Sequence, residues 1–358
     1  MKQIKVLVCD DSALMRRSLK KIIESDPVLK VVGTARDGED SVNKARTLRP
    51  DVITMDVMMP GMDGITALQM IQEEAIAPVL MVSYYTQEGA ETTFEALALG
   101  AFDYVPKPHG TISDMGPVQL ELIDKIKAAA APGVSGKLSR RRVIRSHADV
   151  KRFRQSLAPE KKKADNVYGF RAVALGISTG GPKTLFDVLP LLPADLNAAI
   201  FLVQHMPPKF IRPFAERINS NCAMKCIEAE AGIHVAPGYI YVGKGGSHLT
   251  LYQKSGDRIV IRTPAKPEDR FIPSVNVMMR SVLEVFGADT IGVLMTGMGD
   301  DGADAMVDVT RAGGITIAES EQSAIVYGMP REAIEKGGAR VIAPSWEMAD
   351  EIIRAVNS

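Results

Sequence analysis

Cysteine is nearly missing from this chain of 358 residues, which has only Cys9, Cys222 and Cys226. An odd number without metal-ligand spacing argues against a disulfide framework or a thiolate metal site. It fits reduced, mostly packing thiols in a cytoplasmic protein. A net charge is missing too. Forty-three basic residues balance forty-three acidic ones, so no global field advertises a nucleic-acid or membrane partner. No uninterrupted apolar run approaches the roughly 18 residues of a spanning helix, so direct membrane insertion is not expected. The opening MKQIKVLVCDDS meets its aspartates too soon to serve as a signal peptide. Histidine is scarce, with five, which leaves few candidates for a general base.

What is present is ordinary for a soluble globular protein, 46% apolar and 24% charged. The length predicts two domains. Up to about residue 130, the apolar runs IKVLVC, LKVVGTA, DVITMD, PVLMVS and FDYVPK alternate with helix-like stretches. In ALMRRSLKKIIES, Leu14, Leu19, Ile22 and Ile23 recur at helical spacing. Five strands alternating with helices predict a parallel, doubly wound sheet covered on both faces. Residues 128–166 read as a solvated linker. AAAAPGVSG frays into small and turn residues, and the next stretch carries eleven Lys or Arg against only Asp149 and Glu160. A second α/β domain is expected over residues 167–358, with strands in RAVALGIS, AAIFLVQH, TIGVLM and GITIAES. Within it, residues 226–263 alternate with period two around glycine pairs, which predicts antiparallel hairpins inserted in a mostly parallel sheet.

In the first domain Asp10 and Asp11 follow the first strand, and Asp56 ends the third. With strand order 2-1-3-4-5, these ends are neighbours at the topological switch point, where such sheets bind ligands. Three carboxylates there repel one another unless a cation intervenes, and a hard divalent ion such as magnesium resolves the conflict. Ser83 ends the fourth strand and Lys107 follows the fifth, placing a hydroxyl and a positive charge on the same rim. Together these groups suit a phosphoryl group carried on one carboxylate.

In the second domain GISTGG, residues 176–181, follows a buried-strand run. A phosphate loop, a tight turn and a nucleophile raised above a sheet are the three readings. No Lys-Ser or Lys-Thr pair follows at Walker spacing, since Lys183 precedes Thr184. A nucleophilic serine needs a base and a group that orients it. His109 follows the first domain's last strand, His147 lies in the linker, and His234 and His248 read as surface or edge residues of the hairpins. Only His205 ends an apolar strand as Ser178 does, and TIGVLM runs into TGMGDDGA to deliver Asp300 and Asp301. Parallel strands would bring Ser178, His205 and the aspartate pair together at their carboxyl ends. Asp301 could alternatively cap a helix beginning near Gly302. The order Ser, His, Asp departs from the usual α/β-hydrolase order.

Through CDDS, MDVMMPGMDG, Ser83 and GAFDYVPKP, residues 1 to 125 resemble the response-regulator receiver domain. The resemblance implies that Asp56 takes a phosphoryl group and that Asp10, Asp11, Asp56 and the Met58 carbonyl organise Mg2+. It further implies that Ser83 and Lys107 contact the phosphoryl group and that Tyr104 is a switch residue. Tyr84 departs from the small residue usual at its position. Through GISTGGP, QHMPPKF, GYIYVGKGGSHL, TGMGDDGADAM and VYGMPREAI, the second domain resembles the catalytic domain of the chemotaxis protein-glutamate methylesterases, and the chain is similar to that family across both domains. The resemblance implies Ser178 as nucleophile, His205 as general base and Asp301 as orienting acid, with Asp300 where asparagine is common. Backbone N–H groups of Thr179 and Met298 would hold the oxyanion, and the esterase chemistry would need no cofactor.

The expected architecture is thus two doubly wound, mostly parallel α/β sheets. An N-terminal flavodoxin-like receiver (1–127) and a linker (128–166) precede a Rossmann-like hydrolase domain (167–358) with an antiparallel hairpin insertion. The implied activity is phosphorylation-regulated release of methanol from glutamate methyl esters on the cytoplasmic helices of chemoreceptors, with deamidation of receptor glutamines. A chemotaxis histidine kinase would be the phosphodonor, and the unphosphorylated receiver would obstruct the cleft. Three competing functions are a DNA-binding output, a catalytically silent scaffold and a hydrolase of another substrate. The first has only the basic linker in its favour, and the intact serine, histidine and aspartate argue against the second.

Overall fold

The structure, a computed structural model, describes residues 3–83, 87–107, 116–134, 136–138, 168–254 and 258–358. Two compact units divide the chain, residues 1–145 and 146–358. No helix among the described residues is long and apolar enough to cross a membrane.

The first unit alternates strand and helix: β1 (Ile4–Cys9), α1 (Ala13–Ile23), β2 (Leu29–Ala35), α2 (Gly38–Leu48), β3 (Val52–Asp56), α3 (Gly64–Glu73), β4 (Val79–Ser83), α4 (Gln87–Leu99), β5 (Asp103–Pro106) and α5 (Gly116–Ala129). The sheet is parallel in the order β2-β1-β3-β4-β5. Residues of β3 and β4 are buried throughout, as strands covered on both faces must be. Short polar residues start the helices. Ser12, Asp37 and Asp63 each accept an N–H from the first turn of α1, α2 and α3. On α1, Leu19, Ile22 and Ile23 face the core, but Leu14 is 74% exposed. Five residues before Leu19, it lies about 140° round the helix from it at 3.6 residues per turn. α5 continues to Ala129, and Val134 and Leu138 are buried, so packed structure runs past residue 127.

The second unit is built from β6 (Arg171–Ile177), α6 (Gly181–Val188), β7 (Ala198–Gln204), α7 (Pro208–Asn221), β8 (Lys225–Glu228), β9 (Tyr239–Val242), β10 (Thr250–Lys254), β11 (Arg258–Arg262), α8 (Val275–Phe286), β12 (Thr290–Leu294), α9 (Ala303–Arg311), β13 (Ile315–Glu319), α10 (Met329–Glu335), β14 (Val341–Ala343) and α11 (Met348–Asn357). Seven strands form one parallel sheet in the order β14-β13-β12-β6-β7-β9-β8. The chain builds outward from β6 in one direction and returns to its other side at β12. The topological switch point therefore falls between β6 and β12.

Only part of the stretch expected to form hairpins does so. β10 and β11 pair antiparallel, with Leu251 opposite Ile261, whereas β8 and β9 extend the main sheet in parallel. Period-two alternation reports a half-buried face and leaves the direction of the partner open. The segment from 229 to 238 is a crossover rather than a tight turn, as a parallel neighbour requires.

The hairpin covers α8, which packs on the sheet in turn. Leu251, Ile259 and Ile261 join Val275, Met278 and Val282 of α8 and Phe201 and Tyr241 of the sheet in one core. Ser281 Oγ accepts the Leu251 N–H at 2.9 Å. The three cysteines are free thiols, as expected, with Cys9 and Cys226 buried. Burial pushes the Cys9 thiol up to about 12, too high for thiolate chemistry.

Candidate active site

Ser178 is the first residue beyond β6, and His205 the first beyond β7. Their strands are in register with Ile177 opposite Gln204, and the His205 N–H donates to Ile177 O at 3.2 Å. On the other side of β6, Gly176 pairs with Leu294 of β12, and the Ser178 N–H donates to Thr296 O at 2.9 Å. The nucleophile candidate thus stands at the switch point, between the strand that carries the candidate base and the strand that leads to the candidate acid.

The glycines around it have separate reasons. Gly180 turns the chain with φ +75°, a left-handed conformation that a Cβ resists. Gly181 has no room for a side chain, since a Cβ would lie 2.0 Å from Gln204 Oε1. Gly297 lets the loop after β12 approach the serine, because a Cβ there would lie 2.8 Å from Ser178 Cβ.

His205 Nε2 is 2.9 Å from Asp301 Oδ2. Its ring stacks on Phe271, with centroids 4.2 Å apart and planes 10° apart. Nδ1 is buried and has no hydrogen-bond partner among the described residues. Strand register sets Ser178 and His205 at the ends of neighbouring strands, without a hydrogen bond between their side chains among the described residues.

Of the two aspartates, Asp300 is exposed and Asp301 is buried. Asp301 caps α8 instead of the helix that follows it. Its Oδ2 accepts the Val275 N–H at 2.7 Å, and its Oδ1 accepts the Asn276 N–H and the Ser274 hydroxyl, each at 2.9 Å. Burial alone would raise its pKa. The His205 ring and the backbone N–H groups of Asn276 and Val275 outweigh burial and hold the carboxyl below its ordinary 3.8.

The N–H groups of Thr179 and Met298 make no hydrogen bond among the described residues. Thr179 belongs to the turn that follows the serine. Met298 follows Gly297, whose N–H donates to Val326 O and whose O accepts from Gly328 and Met329. Two free donors on facing loops at the end of β6 and β12 suit a developing oxyanion.

Several residues of this site were not legible in the sequence. His248, expected at a surface or edge, is completely buried. Its Nδ1 accepts the Ser274 N–H at 3.1 Å and its Nε2 lies 2.8 Å from Pro267 O. The segment from 263 to 273 folds over it, which period-two alternation could not show. Gln204, Phe271, Ser274 and Thr296 also touch residues of the site. For Ser274 a signal existed, since a serine before the apolar helical run VNVMM marks a helix start. Among the other histidines, His109 and His147 lie outside the described residues, as do Tyr84 and most of the linker.

The first unit brings its acidic residues together as expected. One carboxylate oxygen each of Asp10, Asp11 and Asp56 lies within 4.8 Å of the others. Lys107 Nζ stands 2.7 Å from Asp56 Oδ2 and 2.9 Å from Asp10 Oδ2. Burial pushes the Asp56 carboxyl up to about 6, against the pull of the Lys107 ammonium. Burial disfavours the charge of Lys107, yet the two carboxylates outweigh it and hold its pKa up. Three hard oxygen donors beside a single ammonium fit a divalent cation such as Mg2+.

Ser83 is buried at the end of β4 and donates to Gly89 O at 3.3 Å. Met58 is exposed at the rim, and its N–H donates to Asp56 Oδ1 at 3.4 Å. Gly64 allows this loop to close, since a Cβ would lie 1.8 Å from Asp56 O. Tyr104 is buried in β5. Lys125 Nζ, from α5, donates to Tyr104 O at 2.7 Å and lies 5.1 Å from the ring centroid.

A profile of the CheB methylesterase family matches residues 173–352, and a response regulator receiver domain profile matches residues 6–113. The fold and the sites therefore define a receiver joined to a methylesterase domain. The chain is 59% identical to protein-glutamate methylesterase/protein-glutamine glutaminase 3 of Syntrophomonas wolfei, with 99% of each covered. It is 48% identical to the protein-glutamate methylesterase/protein-glutamine glutaminase of Caldanaerobacter subterraneus, covering 99% of this chain and 97% of that protein. The crystal structure of the Thermotoga maritima CheB methylesterase catalytic domain matches with a TM-score of 0.51 and 34% identity, over 52% of this chain and 99% of that one. The chain belongs to the chemotaxis protein-glutamate methylesterase/protein-glutamine glutaminase family, and is a hydrolase.

Proposed function

We propose that this chain removes methyl groups from glutamate methyl esters on the cytoplasmic helices of chemoreceptors, with Ser178 as nucleophile, His205 as general base and Asp301 as the acid that orients it. The observation that carries the reading is the convergence of three strand ends, locked by the Ile177–Gln204 and Gly176–Leu294 registers and by the His205–Asp301 hydrogen bond.

Ser178 Oγ attacks the ester carbonyl carbon as its proton passes to His205 Nδ1, and the carbonyl electrons move onto oxygen. The N–H groups of Thr179 and Met298 hold that oxyanion. Collapse expels the methoxy oxygen, which leaves as methanol with the proton from His205. Water then attacks the glutamyl-Ser178 ester by the same route, returning free glutamate and serine. Asp301 keeps the proton on Nε2 throughout and stabilises the imidazolium. A glutamine side chain passes through the same tetrahedral state with ammonia as leaving group, so deamidation follows from one site.

Residues 1–127 act as receiver, residues 128–166 as tether and residues 167–358 as esterase, in the cytoplasm. Asp56 takes the phosphoryl group from a chemotaxis histidine kinase. Asp10, Asp11, Asp56 and the Met58 carbonyl would hold Mg2+, which when bound would neutralise charge for that transfer. Lys107 and Ser83 bind the phosphoryl oxygens, and Tyr104 reports their capture, so that phosphorylation releases the esterase from restraint. Methanol release from methylated receptor membranes tests the reading. Ser178→Ala should abolish it, and near-normal release by that variant would refute the assignment.

A further inference from the structure

The peptide joining Ser178 to Thr179 carries the first oxyanion donor, and its orientation is set from the side away from the cleft. In a trans peptide the C=O and N–H point opposite ways, so whatever holds Ser178 O also aims the Thr179 N–H. Ser178 O accepts the Gly181 N–H at 2.8 Å and Gln204 Nε2 at 3.0 Å. The same Gln204 amide donates its other proton to His205 O at 2.9 Å. Gln204 is 2% exposed, so one buried NH2 group spans the backbones of the nucleophile and the base. The absent side chain of Gly181 makes the space for it.

The outer ends of the turn are held by Thr296, which accepts the Ser178 N–H through its carbonyl and donates its hydroxyl to Thr179 O, both at 2.9 Å. Between those anchors, Gln204 and the Gly181 N–H are what hold Ser178 O among the described residues. A flip of that plane would turn ψ of Ser178 and φ of Thr179, and the Gln204 amide on Ser178 O opposes it. A flipped plane would present Ser178 O to the cleft, an acceptor where the oxyanion needs a donor.

We infer that Gln204 is a positioning residue of the esterase: its side-chain amide holds the Ser178–Thr179 peptide with the Thr179 N–H facing the cleft, and ties Ser178 to His205. The inference rests on the reading of Ser178 as nucleophile and of Thr179 N–H as oxyanion donor.

The test is methanol release by the full chain from methylated receptor membranes. Gln204→Met keeps the side chain's length and loses both donors. Its kcat should fall about ten- to a hundredfold, approaching the loss of one oxyanion donor, with KM unchanged. Affinity for a glutamate-like boronate, a tetrahedral analogue, should fall by the same factor. Gln204→Glu, which sets a carboxylate against two carbonyl oxygens, should fall further. A buried glutamine serving stability alone would lower the melting temperature and leave kcat and boronate affinity in place. A folded Gln204→Met with wild-type kcat overturns the inference.

Should neither variant fold, a crystal structure of the wild-type boronate adduct decides. Thr179 N–H on the boronate oxygen with Gln204 on Ser178 O upholds the inference, and a turned peptide or detached Gln204 overturns it. Ser178→Ala, assayed alongside, separates the two levels. Turnover by Ser178→Ala removes the underlying reading, whereas an inactive Ser178→Ala beside an unimpaired Gln204→Met removes the role of Gln204 alone.

Discussion

Asp301 meets His205 through Nε2, at 2.9 Å, and the same carboxylate accepts two backbone N–H groups and the Ser274 hydroxyl from the start of α8. The acid is therefore fixed by a neighbouring helix rather than by its own loop. With Nε2 hydrogen-bonded to Asp301, the proposed assignment leaves Nδ1 to act as base. On that assignment the usual Ser-His-Asp arrangement is reversed, since there the acid holds Nδ1 and the serine faces Nε2. Phe271, stacked on the ring, keeps one face dry and resists rotation of the imidazole out of that plane.

Asp301→Asn tests this geometry. An asparagine NH2 facing His205 would oblige Nε2 to accept, moving the ring proton to Nδ1 and removing the base. We expect kcat for methanol release to fall by about 10⁴, the cost of the wrong tautomer in such triads, with KM little changed. A loss under tenfold would mean that Asp301 does not set the tautomer.

The same carboxylate should contribute a pH-dependent share of stability. Its folded pKa is depressed below 3.8, so the stability it adds is present above that value and is lost as pH falls through the lower folded value. The gap in melting temperature between wild type and Asp301→Asn should therefore be full at pH 6 and narrow toward pH 3. Calorimetry at these two pH values checks it, and an unchanged gap would show that the charge of Asp301 is not what holds α8.

Strand polarity made the three catalytic candidates legible. Ser178, His205 and Asp301 each follow a buried apolar run, and parallel runs deliver their carboxyl-end residues to one edge. Asp10, Asp56 and Lys107 were legible for the same reason. Residues that act from beneath the site leave no such mark. Gln204 belongs to the apolar strand whose last position it occupies. His248 sits in a glycine-rich stretch whose alternation suggests exposure, and it is buried only because residues 263–273 close over it. β8 and β9 were misread because alternation names a face and leaves the neighbour's direction open.

Lys107 offers a prediction for the first unit. It is the ammonium between the buried carboxylates Asp10 and Asp56. Lys107→Met should cost about 3–5 kcal/mol, the usual penalty for stripping one partner from a buried ion pair. Saturating Mg2+ should stabilise the wild type by mass action, by about 2.7 kcal/mol at a hundred times its Kd. It should also recover part of the loss in Lys107→Met, because the cation meets the same carboxylates. In Asp56→Asn the magnesium response should shrink, and the esterase should stop responding to a phosphodonor. Urea unfolding with and without EDTA measures the first two effects, and equal magnesium responses in all three proteins would place the cation elsewhere.

His248 ties the loop carrying Phe271 to the helix start that carries Ser274. Because Nδ1 accepts the Ser274 N–H, Nε2 carries the proton and donates to Pro267 O. His248→Leu would leave that N–H and that carbonyl unpaired in a buried setting, at about 1–3 kcal/mol each. It should also loosen both Phe271 above the His205 ring and Ser274 beneath Asp301. We expect unfolding free energy and kcat to fall together in His248→Leu. His248→Gln can still supply one donor and one acceptor, so it should retain most of both. Urea unfolding and methanol release on the two variants give the answer. If leucine and glutamine proved equally damaging, the bulk of the imidazole would be holding the loop rather than its two nitrogens.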